Sequence, residues 1–385
     1  MKEVRMKKIT MIVITGGPCA GKSTAMSWVR NAFSQRGYTV LFVPETATEL
    51  ITGGVAPWTC GTNVDYQKCQ VELQITKEKL FCQAAQTMPG EKILIVCDRG
   101  IMDNAAYMTK AEFAEVETAL HGDDVDWRDR YDAVFHLVTA AQGAEEFYSN
   151  ANNAARYESV EEAIALDERL ISCWTGHRYL RVIDNSTDFE GKMKRLEAEI
   201  AVFLGESQPY QMERKFLIEY PDLNWLENEP LCRRVDIDQT YLKSEDGEEI
   251  RIRRRGENGH YVYYETHKRP LDGMKRLSTE TRLSKSDYRR LLKNADPDRR
   301  TIHKKRYCLT YDNQYFEIDV YPFWQDQAIL EIELMDENAE IRFPEGIRII
   351  REVTGDPAYK NAGLAKKPAP EGSGTCGAPL VHKEE

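Results

Sequence analysis

A glycine-rich loop near the N-terminus constrains the fold more than any other feature of the chain. Residues 16–24 read GGPCAGKST and fit the pattern G-x-x-x-x-G-K-[ST], with the apolar run ITMIVIT directly before them and the helical pattern STAMSWVRNAF directly after. This order of strand, loop and helix is the context in which the pattern binds phosphate. The sequence therefore predicts a parallel sheet with a phosphate-binding loop at the carboxyl end of its first strand.

The loop carries groups suited to a nucleoside triphosphate with Mg²⁺. Glycines allow backbone N–H groups to curl around phosphate oxygens, and the N-terminus of the following helix adds positive potential. Lys22 is expected to reach the β- and γ-phosphates, and Ser23 to ligate Mg²⁺. ATP and GTP are both compatible with these residues. The residues assigned to the nucleotide site are Gly16, Gly17, Gly21, Lys22, Ser23 and Thr24.

Three further residues are expected at the same edge of the sheet. Residues 93–97 form an apolar run that ends in Asp98-Arg99-Gly100. Because the carboxyl ends of parallel strands meet at one edge, Asp98 is predicted to hold Mg²⁺ through water and Arg99 to contact phosphate. Glu45 follows the run YTVLFVP at that edge. It acts either as a general base on a substrate hydroxyl or as the cap of the next helix.

Two more features bear on the nucleotide. Arg156 precedes a capped helix, and it is either a lid arginine that stabilises the transferring phosphoryl group or a solvated surface side chain. Asn185 and Asp188 have the spacing of the outer residues of the guanine-reading N-K-x-D pattern, without its lysine. They do not decide between ATP and GTP.

The first half of the chain alternates short apolar runs with longer helical patterns. Between residues 9 and 204 the apolar runs are ITMIVIT, YTVLFVP, KILIVCD, AVFHLVTA and YLRVID. Ser159 and Glu162 form a capping box that opens one helix, and Gly205 ends another. Such alternation predicts an α/β domain over residues 1–207, with helices on both faces of the sheet.

Length and charge limit the classes of function. A chain of 385 residues is long enough for two domains, and its formal net charge of -11 argues against nucleic acid as a partner. No apolar segment is long enough to span a bilayer. The cysteines are scattered singly, which favours a reducing compartment, and a cytoplasmic location is expected.

The pattern changes after residue 207 to alternating strands with few helices between them. Runs such as MERKFLIEY, HYVYYETHK and QYFEIDVY predict an antiparallel domain over residues 208–365. Residues 366–385 are rich in Pro, Gly and charge, and they are expected to form a disordered tail.

Charged residues recur on one face of nearly every strand in this second domain, whereas the opposite faces are apolar. A closed barrel with a polar interior would explain the recurrence, because bases bind phosphate oxygens and carboxylates hold a divalent metal. The apolar outer faces then need covers, and the predicted helix from Ser284 and the segment 345–353 are the candidates. The paired charges on three of the strands are Lys304 with Arg306, Glu317 with Asp319, and Glu331 with Glu333.

The first half resembles a known domain. The stretches GGPCAGKST, VPETATELI, CDRGIMDNAAY, NNAARYES and WTGHRYLRVIDNSTDF occur in the order found in the kinase-like ATPase domain shared by bacterial nicotinamide riboside kinases and the TRPL translocation defect protein family. The likeness spans most of residues 9–204.

The second half resembles the CYTH domain of the triphosphate tunnel enzymes, through EIDVY, LEIEL and the closing EVTGDPAYKNAGLA. The resemblance implies acidic metal-site residues at Glu213, Glu331 and Glu333, with Mg²⁺ or Mn²⁺. It implies triphosphate-binding bases at Lys215, Arg251, Arg253, Lys268, Lys304 and Arg306. Gln211 and Arg282 stand where the family usually has carboxylates, and both changes favour anion binding over metal-assisted hydrolysis.

Across nearly the entire chain, the arrangement resembles the TRPL translocation defect protein family. The resemblance implies guanine-nucleotide binding and peripheral contact with anionic phospholipid headgroups. The favoured hypothesis is a regulatory protein that binds GTP or ATP and, in its tunnel, a phosphorylated small molecule or headgroup. The alternatives are a small-molecule kinase with Glu45 or Asp103 as base, and a metal-dependent inorganic triphosphatase.

Overall fold

The structure is a computed structural model, and it describes residues 7–148, 159–206, 212–244, 248–270, 276–334 and 339–366. The chain folds into two compact units. One comprises the residues up to 237 together with 255–262 and 304–354, and the other comprises 238–254, 263–303 and the residues from 355 onward. The predicted domain boundary at residue 207 lies outside the described residues and stays a prediction. Of the predicted disordered tail, residues 366–385, only Lys366 is described, in an isolated β-bridge with Arg299, and the disorder of the rest stays a prediction.

In residues 7–148 and 159–206, five parallel strands form a sheet, as the alternating pattern predicts. Their bounds are β1 (Lys8–Gly16), β2 (Thr39–Val43), β3 (Lys92–Asp98), β4 (Ala133–Leu137) and β5 (Leu180–Ile183). They pair in the order β2-β3-β1-β4-β5, so β1 lies at the centre. The glycine-rich loop leaves this central strand at the carboxyl edge of the sheet.

Helices cover both faces of the parallel sheet. Successive residues of β1 point to opposite faces, so Ile12 and Ile14 pack into one apolar core and Val13 into the other. The predicted capping box is present, with Ser159 and Glu162 bonded reciprocally at the start of a helix. The helices of this part are α1 (Lys22–Gln35), α2 (Thr46–Thr52), α3 (Asn63–Thr87), α4 (Lys110–Ala119), α5 (Asp124–Arg128), α6 (Val160–Trp174) and α7 (Phe189–Leu204).

Among the described residues of the C-terminal part, nine strands form a second sheet. They are β6 (Met212–Glu219), β7 (Cys232–Tyr241), β8 (Glu249–Glu257), β9 (His260–Pro270), β10 (Arg276–Leu283), β11 (Ile302–Tyr311), β12 (Gln314–Val320), β13 (Gln327–Leu334) and β14 (Ile349–Glu352). Their order is β10-β9-β8-β7-β11-β12-β13-β6-β14. The pairs β9–β10, β11–β12, β12–β13, β6–β13 and β6–β14 are antiparallel.

The apolar faces predicted for this sheet are buried together. Phe216, Phe316 and Leu330 belong to one core, which is also contacted by Leu226 and Ile347. Leu226 lies in α8 (Leu223–Asn228), a helix that the sequence pattern did not predict. The segment 345–353 provides part of the cover and then continues as the edge strand β14. In the second unit, α9 (Lys285–Leu291) packs Tyr288 against Leu242 and Ile252, and a short helix, α10 (Asn361–Leu364), follows near the end.

A buried ion pair joins the N-terminal part of the first unit to a strand of the large sheet. Arg255 of β8 lies 2.5 Å from Asp129 Oδ1 and donates a hydrogen bond of 2.6 Å to the carbonyl of Gly176. Burial alone would raise the pKa of Asp129, but Arg255 and Arg128 hold this pKa well below its usual range. Removing either partner of such a buried pair is strongly destabilising, because it leaves a charge uncompensated.

The predicted fold class is confirmed, with a parallel α/β sheet in the N-terminal part and a large antiparallel sheet in the C-terminal part. Closure of the second sheet into a tunnel stays a prediction. In the part of the chain that the structure describes, no helix combines the length and the apolar character that crossing a bilayer requires.

Candidate functional site

The glycine-rich loop lines a cavity of about 810 Å³ at the carboxyl edge of the parallel sheet. Lys22 opens α1 and donates hydrogen bonds to the carbonyls of Gly16 at 2.9 Å and Gly17 at 3.2 Å. Burial, together with the nearby Arg99, lowers the pKa of Lys22 to about 8. Ser23 and Thr24 line the same cavity. These are the groups that the sequence assigns to a nucleotide.

The glycine-rich loop is hydrogen-bonded to Asp167, a residue that the sequence pattern did not indicate. Asp167 of α6 accepts a hydrogen bond of 2.6 Å from the backbone N–H of Gly17, and its Oδ1 lies 3.0 Å from His136 Nε2. A Cβ atom at Gly17 would lie 2.5 Å from that same Oδ1, so glycine is required here by close approach. Because this N–H donates within the protein, the contact of Gly17 with phosphate stays a prediction.

Asp98, Glu45 and Arg99 meet at the same cavity, as their positions after β3 and β2 predict. Arg99 Nε lies 2.7 Å from Glu45 Oε1, and Arg99 Nη1 lies 3.6 Å from Asp103 Oδ1. Burial raises the pKa of Asp98, and Lys22 opposes the rise. Burial would also raise the pKa of Glu45, but Arg99 and Thr48 outweigh it and lower this pKa. The Glu45 carboxylate is therefore held ionised beside a guanidinium.

The donor set fits a magnesium nucleotide. Asp98 Oδ1 is buried and has no hydrogen-bond partner. A hydrated Mg²⁺ ion bound here would supply that partner. Ser23 stands at the second position of α1, beside the loop. Asp98 and Ser23 are therefore the residues that would hold Mg²⁺, with Lys22 on the phosphates.

A second cavity, of about 450 Å³, adjoins the first and shares Glu45 and Arg99 with it. One wall is the polar face of α3, a helix of 25 residues. The pattern of the sequence did not predict this wall. In the sequence, this wall corresponds to polar side chains at helical spacing. In the structure, these polar side chains are buried. The members of that stripe are Gln67, Gln70, Gln74 and Glu78.

The residues after β5 form the opposite end of the larger cavity. Asn185 donates hydrogen bonds to the carbonyls of Thr139 at 2.8 Å and Gln142 at 2.7 Å, and its Oδ1 accepts one from Lys192 at 2.8 Å. The amide of Asn185 is therefore engaged in holding the loop. Phe189 covers Gly21, where an added Cβ would lie 2.6 Å from the ring, and the Phe189 side chain is 48% exposed at the cavity.

In the large sheet, six charged side chains of the first unit form one group, here called the sheet cluster. Arg306 contacts Asp319 through two hydrogen bonds of 2.7 Å and Glu331 through one of 2.8 Å, and it also pairs with Glu317. Lys304 pairs with Asp319, and Lys215 lies 2.6 Å from Glu331. The members of the sheet cluster are Lys215, Lys304, Arg306, Glu317, Asp319 and Glu331.

Strand register brings the sheet cluster together. Glu331 of β13 lies opposite Glu317 of β12 on one side and Lys215 of β6 on the other. Burial alone would raise the pKa of Glu331, but Arg306, Lys215 and Lys304 hold it well below its usual range. Burial raises the pKa of Glu317 despite Arg306. Three of the predicted triphosphate-binding bases, Lys215, Lys304 and Arg306, lie in this unit. Each of them is paired with a carboxylate.

The other predicted metal-site residues face different partners. Glu213 lies 2.8 Å from Lys215, and half of its side chain is exposed. Glu333 pairs with Arg181 of β5. Among the residues that the structure describes, no group of three or more His, Cys, Asp or Glu side chains is arranged to hold a metal ion. The roles of Glu213, Glu331 and Glu333 in metal binding stay predictions.

The remaining predicted bases belong to the second unit. Arg253 lies 2.8 Å from Glu280, which also accepts a hydrogen bond of 3.0 Å from Thr266. Arg251 Nε is buried with no hydrogen-bond partner. Lys268 is half-buried on β9, and the side chain of Arg282 is exposed. Gln211 and Arg156 lie outside the described residues.

Three comparisons relate the chain to known proteins. Residues 11–192 match the model of the AAA domain family. Two solved structures align with low similarity, a hypothetical protein at 28% identity and an inorganic triphosphatase at 26%. They cover 40% and 41% of this chain, and 97% and 95% of their own, with TM-scores of 0.30 and 0.29.

A curated relative gives the firmer assignment. The inorganic triphosphatase of Acetivibrio thermocellus is 30% identical over 159 residues, which are 41% of this chain and 94% of the relative. Nearly the whole of that protein thus has a counterpart here. On the evidence of these 159 aligned residues, the chain belongs to the family of the Acetivibrio thermocellus inorganic triphosphatase. It also carries an AAA-type nucleotide-binding domain.

Proposed function

We propose that the N-terminal part is a small-molecule kinase, which transfers the γ-phosphoryl group of ATP or GTP to an acceptor in the second cavity. The observation that carries the proposal is that the two cavities share Glu45 and Arg99. A protein that only senses nucleotide needs one cavity. A phosphoryl transferase needs a second, with an ionised side chain where the two meet.

The residues take roles that follow from their positions. Lys22 neutralises the phosphates, while Ser23 and Asp98 hold Mg²⁺, which when bound neutralises charge on the β- and γ-phosphates. Glu45 faces both cavities, so it is placed to accept the proton of an acceptor hydroxyl. Arg99 fixes Glu45 at 2.7 Å and adds positive charge where negative charge develops. Arg156 keeps its proposed role as a lid residue.

Labelled nucleotide tests this function directly. The purified chain is incubated with Mg²⁺ and γ-labelled ATP or GTP, with and without the deproteinised small-molecule fraction of a cell extract. We expect label in a new phosphorylated compound, which Lys22→Ala abolishes. Lys79→Ala, an exposed lysine on α3, is the matched control and keeps the activity. Label found only in orthophosphate, at a rate that the extract does not change, contradicts the proposal.

A second candidate function concerns the C-terminal part, which we propose binds a phosphorylated anion. The relative named an inorganic triphosphatase supports this class of ligand. Triphosphate and the anionic phospholipid headgroup implied by the TRPL translocation defect resemblance share the same chemistry. Because Gln211 stands where the triphosphate tunnel enzymes usually have a carboxylate, binding without hydrolysis is the favoured form.

Calorimetry on the Lys22→Ala variant separates the alternatives, since that variant removes the contribution of the nucleotide site. We expect triphosphate to bind without release of phosphate when Mg²⁺ or Mn²⁺ is added. Release of phosphate with either metal would show a working triphosphatase instead. Binding of a soluble phosphoinositide headgroup, but not of triphosphate, would favour the lipid ligand. If neither compound binds, this second candidate function is wrong.

A further inference from the structure

The second cavity has a chemical character that selects its occupant. We infer that it binds an uncharged molecule bearing a hydroxyl group, and that it rejects acceptors that already carry a phosphate or carboxylate. The inference rests on the proposed kinase function and names its substrate class.

The charges of the cavity support this selection. Its charged lining residues are Glu45, Arg99 and Asp103, and they contact one another at the side shared with the phosphate-binding cavity. Asp103 also accepts hydrogen bonds from the backbone N–H of Gly100 at 2.7 Å and from Thr15. Arg99 is the one cation among the described residues that line this cavity, and its Nη1 makes no hydrogen bond, but its charge is outnumbered by the carboxylates of Glu45 and Asp103. An anionic group entering here would lose its hydration and meet a lining of net negative charge.

The wall formed by α3 offers neutral hydrogen-bonding groups. Gln67 is 3% exposed and its Oε1 has no hydrogen-bond partner, and Tyr66 is 2% exposed with its hydroxyl likewise unpartnered. Buried polar atoms are nearly always satisfied in a working structure, so these two call for ligand groups. A carbonyl oxygen accepts only, and the ligand must therefore present an O–H or N–H donor to Gln67.

Neighbouring side chains hold this wall in place. Gln74 donates to Glu78 at 3.2 Å and to the carbonyl of Arg99 at 3.1 Å. Gln70 donates to Asn104 at 2.5 Å, and Asn104 donates in turn to the carbonyl of Ile101 at 2.9 Å. The helix face is therefore ordered before any ligand binds, as a specific site requires.

The remaining surface suits a carbon skeleton. Ala47, Ile51 and Pro57 contribute apolar contacts. The volume of about 450 Å³ matches a small organic molecule. An uncharged polyhydroxylated compound, with an apolar face against Ile51 and a donor toward Gln67, satisfies each of these conditions.

The reaction then balances as a simple phosphoryl transfer. The acceptor hydroxyl oxygen forms a bond to the γ-phosphorus, and the bond from that phosphorus to the β–γ bridging oxygen breaks. The hydroxyl proton passes to Glu45, and the nucleoside diphosphate leaves with the electron pair. The products are a phosphate monoester and the nucleoside diphosphate, and no further reactant is needed.

The charge of the acceptor tests the inference separately from the kinase function. The labelled product formed from the extract is isolated and treated with a phosphatase, and the charge of the parent compound is measured by its retention on anion and cation exchangers. We expect a parent that neither exchanger retains. A parent that either exchanger retains overturns this inference while the kinase function stands. Absence of any labelled product overturns the kinase function and this inference with it.

A variant of the wall gives the second readout. Gln67→Leu removes the carbonyl and keeps the side-chain volume, so the KM for the extract-derived acceptor should rise about tenfold or more. The KM for nucleotide should not change. Gln83→Leu, at an exposed position of the same helix, is the matched control. An unchanged acceptor KM in Gln67→Leu, with its thermal melting intact, contradicts the assignment of Gln67 to the acceptor.

Discussion

Asp167 Oδ1 accepts a hydrogen bond of 2.6 Å from the backbone N–H of Gly17, across 150 residues of sequence. The contact ties α6 to the glycine-rich loop. A carboxylate that accepts a backbone N–H gives a charge-assisted bond, which is stronger than a neutral one. His136 Nε2 on β4 lies 3.0 Å from the same oxygen. The loop is therefore fixed by the helix that follows the proposed lid residue Arg156.

Removing this carboxylate should weaken nucleotide binding. We expect Asp167→Ala to lower the affinity for the magnesium nucleotide by about tenfold to a hundredfold, because the loop loses its anchor. Asp167→Asn, which keeps an acceptor oxygen but loses the charge, should fall between wild type and Asp167→Ala. Calorimetric titration measures the effect, with Glu168→Gln at the exposed next position as control. Unchanged affinity in a folded Asp167→Ala protein would show that the contact does not position the loop.

Phe189 is placed to stack on the nucleobase. Its ring covers Gly21 and lines the cavity beside the glycine-rich loop, and the residue is 48% exposed, so the ring is accessible to a planar base. Base–aromatic stacking contributes about 1–3 kcal/mol, so Phe189→Ala should weaken nucleotide affinity by about fivefold to a hundredfold. Phe189→Tyr should keep most of the affinity. Titration with ATP and GTP measures both variants, and equal affinities for wild type and Phe189→Ala would place the base elsewhere.

His177 makes stability sensitive to acid. Its Nε2 donates to the carbonyl of Tyr131 at 3.0 Å, and its Nδ1 accepts from the N–H of Tyr179 at 3.0 Å, so the ring is neutral in the fold. Burial, helped by Arg178 and Arg255, lowers the pKa of His177 to about 3, although Asp129 opposes the shift. The unfolded chain binds its proton near pH 6.5, well before the folded one does.

The stabilising contribution of neutral His177 is therefore complete above about pH 6.5 and is lost progressively as the pH falls toward about 3. In this range the free energy of unfolding should fall by up to about 1.4 kcal/mol for each pH unit of acidification. Urea unfolding across this range measures it. His177→Gln keeps a donor and an acceptor but does not titrate, so its loss of stability should be smaller. Identical pH profiles for the two proteins would assign the acid sensitivity to other groups.

Arg306 should matter more for folding than for ligand binding. It contacts Glu317, Asp319 and Glu331. Arg306→Ala leaves these carboxylates without their shared cation, and we expect a loss of about 3–5 kcal/mol in the free energy of unfolding. Chemical denaturation measures it. Arg348→Ala, whose side chain is 81% exposed, should change stability little. A loss in Arg306→Ala no larger than that of Arg348→Ala would mean that solvent screens the sheet cluster.

The parallel sheet and its phosphate-binding loop could be predicted from sequence because each relies on local pattern. The five apolar runs match the five described strands of the parallel sheet, and the loop lies between strand and helix as its spacing indicates. The largest omission was α3. Its buried face carries Gln67, Gln70 and Gln74, so it lacks the apolar stripe by which an amphipathic helix is recognised.

Long-range contacts could not be predicted from local pattern. Asp167 lies on a well-predicted helix, but only the tertiary fold brings it to Gly17. The alternation of charged and apolar residues along the strands correctly predicted that Lys304, Arg306 and Glu331 lie on the polar faces of their strands. It did not show that these charges neutralise one another, because the choice of partner depends on strand register across β11, β12 and β13.

The ion pair between Asp129 and Arg255 bears on how this polypeptide can be divided. A fragment that stops at residue 207 keeps the glycine-rich loop and both cavities, yet it lacks Arg255, one of the two guanidinium groups that contact the buried carboxylate of Asp129. Expressed alone, such a fragment would keep only Arg128 as the ion-pair partner of Asp129, and we expect it to be less stable than the same residues in the full chain. The buried charge of the nucleotide-binding part is thus neutralised in part by a strand that comes much later in the sequence.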